Sequence, residues 1–110
     1  MMQDEHLIKK IQKIIEMHLA NPELKGSLIA KELEINRMKI HRVLKRAFDQ
    51  NARDFITKKR IAHAQNELLN TSKFVYQIAL EVGYTDPRHF AKVFKKMVGI
   101  SPTGFKKSKK

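Results

Sequence analysis

Residues 78–102 read IALEVGYTDPRHFAKVFKKMVGISP, and they contain two short helical patterns with a turn between them. Gly83 ends the first pattern, because glycine readily adopts the left-handed conformation found at helix C-termini. Asp86-Pro87 begins the second pattern, with an aspartate at the N-cap and a proline at the first helical position. Phe90 and Phe94 then stand one helical turn apart and define a buried face. This segment therefore predicts a helix-turn-helix unit.

An earlier part of the chain repeats this pattern. Ile29-Ala30 stands 49 positions before Ile78-Ala79. Beyond the turn the offset is 50, and it pairs Asn36 with Asp86, Ile40 with Phe90, Arg42 with Lys92, Val43 with Val93, Leu44 with Phe94 and Lys45 with Lys95. A shift of one residue at the turn, with matching on both sides, is typical of two helix-turn-helix units whose turns differ in length. The chain is therefore expected to carry two such units, with Asn36 and Asp86 as equivalent caps.

Helical periodicity covers the rest of the chain, and no stretch shows the alternation expected of a β-strand. A basic amphipathic helix precedes Asn21-Pro22, which we expect to close it. Ser27 is the expected N-cap of the next helix, and a long helix is expected from about residue 52 to about residue 70. Ser101-Pro102 opens a last short turn before the basic tail Lys106–Lys110.

The expected fold is all-α, with about seven helices that form two helix-turn-helix subdomains joined by a long linker helix. The first subdomain is expected over residues 5–50, the linker over residues 51–71, and the second subdomain with the basic tail over residues 72–110. Met97 is expected to fill the core near the end of the last long helix. A chain of 110 residues suits this division, because it allows one domain or two very small ones.

Charge is the most informative feature of the composition. Twenty-three Lys and Arg residues against eleven Asp and Glu residues give a formal net charge of +12. A surplus of this size indicates a polyanionic partner, either nucleic acid or an anionic membrane surface. The chain has no cysteine, which excludes disulfides and thiolate metal sites and suits a reducing cytoplasm.

Several classes of protein are not expected. The start MMQDEHLIKK lacks the apolar segment of a signal peptide, and no apolar run approaches the length of a membrane span. The five histidines form no pair with ligand spacing on any one predicted helix. No glycine-rich phosphate loop and no nucleophile motif is present. We therefore expect no enzyme, no cofactor, no metal site and no membrane partner.

Side chains that point outward from the second helix of each unit are the candidate DNA contacts. A major groove about 12 Å wide admits one helix, whose N-terminal residues reach the base edges. In the first unit these positions are Arg37, Met38, His41 and Arg42. In the second unit they are Arg88, His89, Ala91 and Lys92. The basic residues further along, expected to meet phosphates or solvent, are Lys45, Arg46, Lys95 and Lys96.

Simpler interpretations of these residues stay open. The two units can be helical hairpins with solvated basic faces, although the duplicated caps favour DNA binding. Met38 can contact a thymine methyl group, or it can be an exposed apolar residue without a partner. His89 precedes the buried Phe90, so packing and phosphate contact stand beside base reading as its candidate roles.

From Arg60 to Lys107 the sequence resembles the AraC/XylS family of transcription regulators. The residues that carry the resemblance are Arg60, Ala64, Ile78-Ala79, Gly83-Tyr84, Asp86, Phe90, Phe94-Lys95, Gly99 and Pro102. Ser27–Phe48 matches the family more loosely. The resemblance implies transcriptional control through double-stranded DNA, with both recognition helices in successive major grooves on one face of the duplex. It also implies RNA polymerase as a partner. Two alternatives stay open: the chain is a stand-alone regulator, or it is the C-terminal piece of a larger one that carries a sensor or receiver domain on the N-terminal side.

The sequence departs from this family at a few positions. Glu34 stands where the first turn commonly has glycine, so we expect that turn to be strained or differently shaped. Leu44 replaces a usual phenylalanine. Pro87 and Ala91 offer little hydrogen bonding, so the second helix is expected to contribute mainly phosphate contacts and shape recognition. The alternative function is a basic helical module that binds RNA or an anionic membrane surface without sequence preference.

Overall fold

The computed structural model describes residues 2–108, and these residues form seven α-helices and no strand. The helices are α1 (Met2–Met17), α2 (Gly26–Leu33), α3 (Arg37–Phe48), α4 (Ala52–Asn70), α5 (Val75–Glu81), α6 (Pro87–Val98) and α7 (Pro102–Lys107). The expected all-α fold class is confirmed. Lys106 and Lys107 of the predicted basic tail belong to α7, while Lys109 and Lys110 lie outside the described residues.

The chain forms two compact units, and the boundary between them falls within α4. The first unit contains α1, α2, α3 and α4 as far as Lys58, and the second contains Ala20–Pro22 and the residues from Lys59 onward. In the first unit, α1, α2 and α3 pack against one another around a mainly aliphatic core. Its buried side chains include Ile11, Ile15, Ile29, Ile40, Leu44, Phe55 and Ile56. Their three- and four-residue spacing turns one face of each helix inward and leaves the other face of α3 in solvent.

The second unit has an aromatic core. Phe90 of α6 lies between the rings of Tyr84 and Phe94, with ring centroids 5.4 Å and 5.7 Å away. Phe94 in turn meets Phe105 of α7 at 5.5 Å. Met97 is 45% exposed, so the prediction that it fills the core is wrong. The reason is that Phe105 covers Phe94 from α7 and leaves the last turn of α6 outside the ring cluster.

The two predicted caps at Asn36 and Asp86 are confirmed, and Ser101 caps α7 in the same way. Asn36 Oδ1 accepts a hydrogen bond from Met38 N at 2.7 Å, and Asp86 Oδ1 accepts one from Arg88 N at 2.9 Å. Ser101 Oγ accepts one from Gly104 N at 3.0 Å. Each bond satisfies a backbone N–H group that a helix N-terminus leaves without an intrahelical partner.

Two other predicted helix ends are wrong. α2 begins at Gly26, with Lys25 at its N-cap and no side-chain cap bond, so Ser27 is not the cap. Gly26 is buried, and a Cβ there would lie 3.3 Å from Ala52 Cβ, a tight contact that favours glycine at this position. α1 ends at Met17 rather than at Asn21-Pro22. The Asn21 carbonyl instead accepts a hydrogen bond from the buried Arg60.

The turn between α2 and α3 contains a strained residue. Glu34 ends α2 with φ 55° and ψ 42°, in the left-handed region, and its equivalent in the second unit is Gly83 with φ 94°. A side chain makes this conformation unfavourable by about 1–2 kcal/mol, whereas glycine adopts it freely. The expectation that Glu34 strains this turn is therefore confirmed.

Glu34→Gly is expected to raise the free energy of unfolding by about 0.5–1 kcal/mol, since the relief of strain exceeds the added chain entropy of glycine. Urea denaturation followed by circular dichroism measures it. The matched control is Lys31→Gly, which places glycine inside α2 and is expected to lower stability by about 1 kcal/mol. A loss of stability in both variants would show that Glu34 is not strained.

Candidate nucleic-acid interface

In the first unit, α3 presents one continuous exposed face. Ile40 and Leu44 point into the core and fix the rotation of the helix. The opposite side exposes Arg37, Met38 and Arg42, with Met38 61% exposed at the capped end. These three predicted contact residues are thus brought together at the N-terminal part of α3, where a groove-binding helix meets base edges.

His41 differs from its neighbours on α3 because it is half-buried. A Cβ added at Gly26 would lie 3.7 Å from His41 Nε2 and 3.9 Å from Arg37 Cγ, so both side chains run beside the start of α2. The structure therefore places His41 at the edge of the exposed face rather than at its centre.

Two basic residues at the C-terminal end of α3 are held by carboxylates. Arg46 donates to Asp4 of α1, with Nη1 and Oδ2 2.9 Å apart. Lys45 pairs with Asp49 one turn later at 2.9 Å, and the hydrogen bond from Lys45 holds the pKa of Asp49 below its usual value. Ion pairs at the protein surface such as these add little stability.

In the second unit, α6 presents the equivalent face. Phe90 and Phe94 point inward, and the predicted contact residues that are exposed are Arg88, His89, Lys92, Lys95 and Lys96. Ala91 is half-buried, so it offers only a methyl group at the edge of this face. The His89 ring lies 5.6 Å from the ring of Tyr84 and therefore combines an exposed edge with a packing contact.

A buried arginine supports the turn that precedes α6. Arg60 of α4 donates from Nη2 to the Asn21 carbonyl at 2.7 Å, and its guanidinium carbon lies 5.8 Å from the centroid of the Tyr84 ring. Burial lowers the pKa of Arg60 and raises the pKa of Tyr84. Arg60 thus joins α4, the segment after α1 and the turn of the second unit by side-chain contacts.

Sequence reasoning missed Asp4 as the partner of Arg46 and Arg60 as the support of Tyr84. No local signal could have found the first pair, because its members are 42 residues apart. Within residues 2–108, no helix is long and apolar enough to span a membrane. In the same range, no three His, Cys, Asp or Glu side chains are grouped so that they could hold a metal ion.

Residues 29–108 match a family model described as a helix-turn-helix domain. A protein named histidine kinase P4 from Formosa agariphila is 31% identical over 93% of this chain and 7% of its own length. YesN of Bacillus subtilis, an uncharacterized transcriptional regulatory protein, is 30% identical over 92% of this chain and 28% of its own length. The chain thus spans under a third of these two relatives.

Solved structures match the fold over nearly the whole chain. The C-terminal domain of AraT, a response regulator from Geobacillus stearothermophilus, has a TM-score of 0.86 and 25% identity, covering 93% of this chain and 84% of that one. The DNA-binding domain of AdpA, a global transcriptional factor, was solved in complex with a target DNA. It has a TM-score of 0.82 and 19% identity over 93% of this chain and 90% of its own, a likeness of fold alone.

Proposed function

This chain belongs to the AraC/XylS family of helix-turn-helix DNA-binding domains, which serve transcriptional regulators and are not enzymes, and from that premise we propose that it binds one double-stranded DNA site sequence-specifically. In this proposal α3 and α6 enter successive major grooves. Base edges are read near the capped ends of the two helices, and the basic residues further along contact phosphates.

The observation that carries the proposal is the equivalence of α3 and α6. In each helix, the cap side chain accepts a hydrogen bond from the backbone N–H two residues later, at 2.7 Å in α3 and 2.9 Å in α6. In each helix two fully buried residues four apart fix the inner face, Ile40 with Leu44 and Phe90 with Phe94. Each unit therefore presents a fixed, polar helix face that begins at a capped N-terminus. No observation favours binding of RNA or of a membrane surface.

The partners of the intact regulator are part of this proposal. AraT and YesN are regulators by name, and the part of AraT that matches is its C-terminal domain. We propose that a sensor or receiver domain controls this module in the intact regulator, and that RNA polymerase responds to the bound regulator.

Selection from random duplexes tests the proposed function. The expected product is one site with two short preferred sequences about 10 base pairs apart, centre to centre. An enriched pool without any common sequence would contradict it.

Arg42 is expected to read a base. It lies six residues after the Asn36 cap and is exposed beside the buried Val43, so its guanidinium can bond guanine O6 and N7 together. Arg42→Ala is expected to weaken binding to the preferred site by about 1–3 kcal/mol and to relax the preference at one base pair. Binding to a panel of single-base-pair substitutions measures both effects.

Lys95→Ala is the matched comparison on α6. Lys95 is exposed in the last turn, far from the capped end, so we expect it to contact phosphate. Its loss should weaken binding to every duplex about equally and lower the salt slope by about one unit. If Arg42→Ala also lowers every affinity by the same factor, then Arg42 contacts phosphate and the base-reading assignment is wrong.

A further inference from the structure

Asp86 contacts Arg88 twice through one carboxylate oxygen. Its Oδ1 accepts the cap hydrogen bond from Arg88 N at 2.9 Å and lies 3.4 Å from Arg88 Nε. The Asp86 carboxylate therefore contacts the guanidinium at Nε, while the Arg88 side chain as a whole is 93% exposed. A guanidinium has five N–H groups, and the four on its two terminal nitrogens point away from Nε in a planar fork.

The position of Arg88 is electrostatically unfavourable without such a partner. It lies in the first turn of α6, where the helix dipole disfavours a positive charge, and that turn has no acidic residue. Asp86, at the N-cap, supplies the compensating charge. The backbone hydrogen bond from Arg88, followed by smaller contributions from its side chain, holds the pKa of Asp86 below its usual value, so the carboxylate is ionised at neutral pH.

The first unit lacks this pair at the equivalent position. Met38 follows the Asn36 cap by two residues, as Arg88 follows Asp86, but the cap is neutral and the exposed side chain is apolar. The two cap hydrogen bonds are alike in length, 2.7 Å at Asn36 and 2.9 Å at Asp86. At this equivalent position the first unit therefore exposes the apolar side chain of Met38, and the second unit exposes the guanidinium of Arg88.

We propose that Arg88, oriented by Asp86, reads a guanine in the major groove that the second unit enters. The inference rests on the proposed function and names the base that its second helix recognises. The terminal nitrogens of Arg88 match the O6 and N7 acceptors of guanine, which form the commonest specific arginine contact in DNA recognition. The second helix then recognises sequence directly through Arg88. This adds to the phosphate contacts and shape recognition that were expected because Pro87 and Ala91 offer little hydrogen bonding.

Three variants of the whole chain test this, each measured on the selected site and on its single-base-pair substitutions. Arg88→Ala is expected to weaken binding to the preferred site about 5- to 150-fold and to abolish the preference for guanine at one position of the second half-site. Arg88→Lys keeps the charge but loses the fork, so most of that guanine preference should disappear while binding to other sequences changes little.

Asp86→Ser separates orientation from folding. Serine caps a helix about as well as aspartate does, and Ser101 does so in α7, but its shorter, neutral side chain cannot also hold the guanidinium as the carboxylate does. The urea midpoint should therefore stay close to that of the wild type, while the guanine preference falls. Equal weakening on all sequences by both Arg88 variants would overturn the base contact, and an unchanged preference in Asp86→Ser would overturn the orienting role. If Arg88→Ala abolishes the guanine preference in the second half-site and leaves the preference in the first half-site unchanged, the result supports both the proposed function and this inference. A wild-type chain without any sequence preference would refute both.

Discussion

Replacing Phe90 by alanine is expected to lower the free energy of unfolding by about 3–5 kcal/mol. Phe90 is fully buried, and its ring contacts those of Tyr84 and Phe94 at 5.4 Å and 5.7 Å. Its removal leaves a cavity between α6 and the turn before it, in a unit too small to fill the space by rearrangement. A small domain is stable by about 5–15 kcal/mol, so this change removes a large part of the total.

Urea denaturation followed by circular dichroism measures this loss, with Leu80→Ala as the matched control. Leu80 lies on α5 of the same unit but is 52% exposed, so its replacement is expected to change stability by no more than about 0.5 kcal/mol. If Phe90→Ala destabilises the chain no more than Leu80→Ala does, Phe90 is not the centre of the aromatic core.

Affinity for DNA is expected to fall steeply with salt. If the two units contact about 6–10 phosphates, log K against log salt should have a slope of roughly −5 to −9. Between 50 mM and 200 mM salt the affinity should then fall by about 10³–10⁵-fold. The prediction rests on the net charge of +12 and on the exposed basic residues of α3 and α6. Fluorescence anisotropy with a labelled duplex measures the slope.

Asp4→Asn is an internal check on that slope. It removes the carboxylate that holds Arg46 at 2.9 Å, so Arg46 is released toward a phosphate. The variant should bind DNA at least as tightly as the wild type and with at least as steep a slope. An affinity that is nearly flat from low to physiological salt would contradict phosphate-driven binding.

The features that the sequence predicted well are local ones. The caps at Asn36 and Asp86 could be predicted because a cap hydrogen bond joins residues two apart and depends on a few side-chain types. The long helix over residues 52–70 could be predicted because its apolar residues recur with helical spacing over many positions. The strain at Glu34 was predicted from the family resemblance, because that turn commonly has glycine, the residue that suits a left-handed conformation.

The features that it missed depend on residues distant in the chain. Ser27 looks like a cap, but α2 begins at Gly26, whose tight packing against Ala52 of α4 cannot be read from the local sequence. Met97 fits the apolar spacing of α6, but Phe105 of the following helix covers the neighbouring ring instead. The contacts of Arg60 join three separate segments, which no pattern along one helix encodes.

Competition at fixed salt between the selected duplex and a scrambled duplex of the same length and composition tests sequence-specific binding most directly. Both duplexes present the same phosphate charge, so their ratio isolates base and shape recognition from the attraction due to net charge. The proposal predicts that the selected duplex binds about 10³-fold more tightly or better. A ratio near one would mean that the chain binds DNA only as a polycation, and it would contradict the assignment of α3 and α6 as recognition helices.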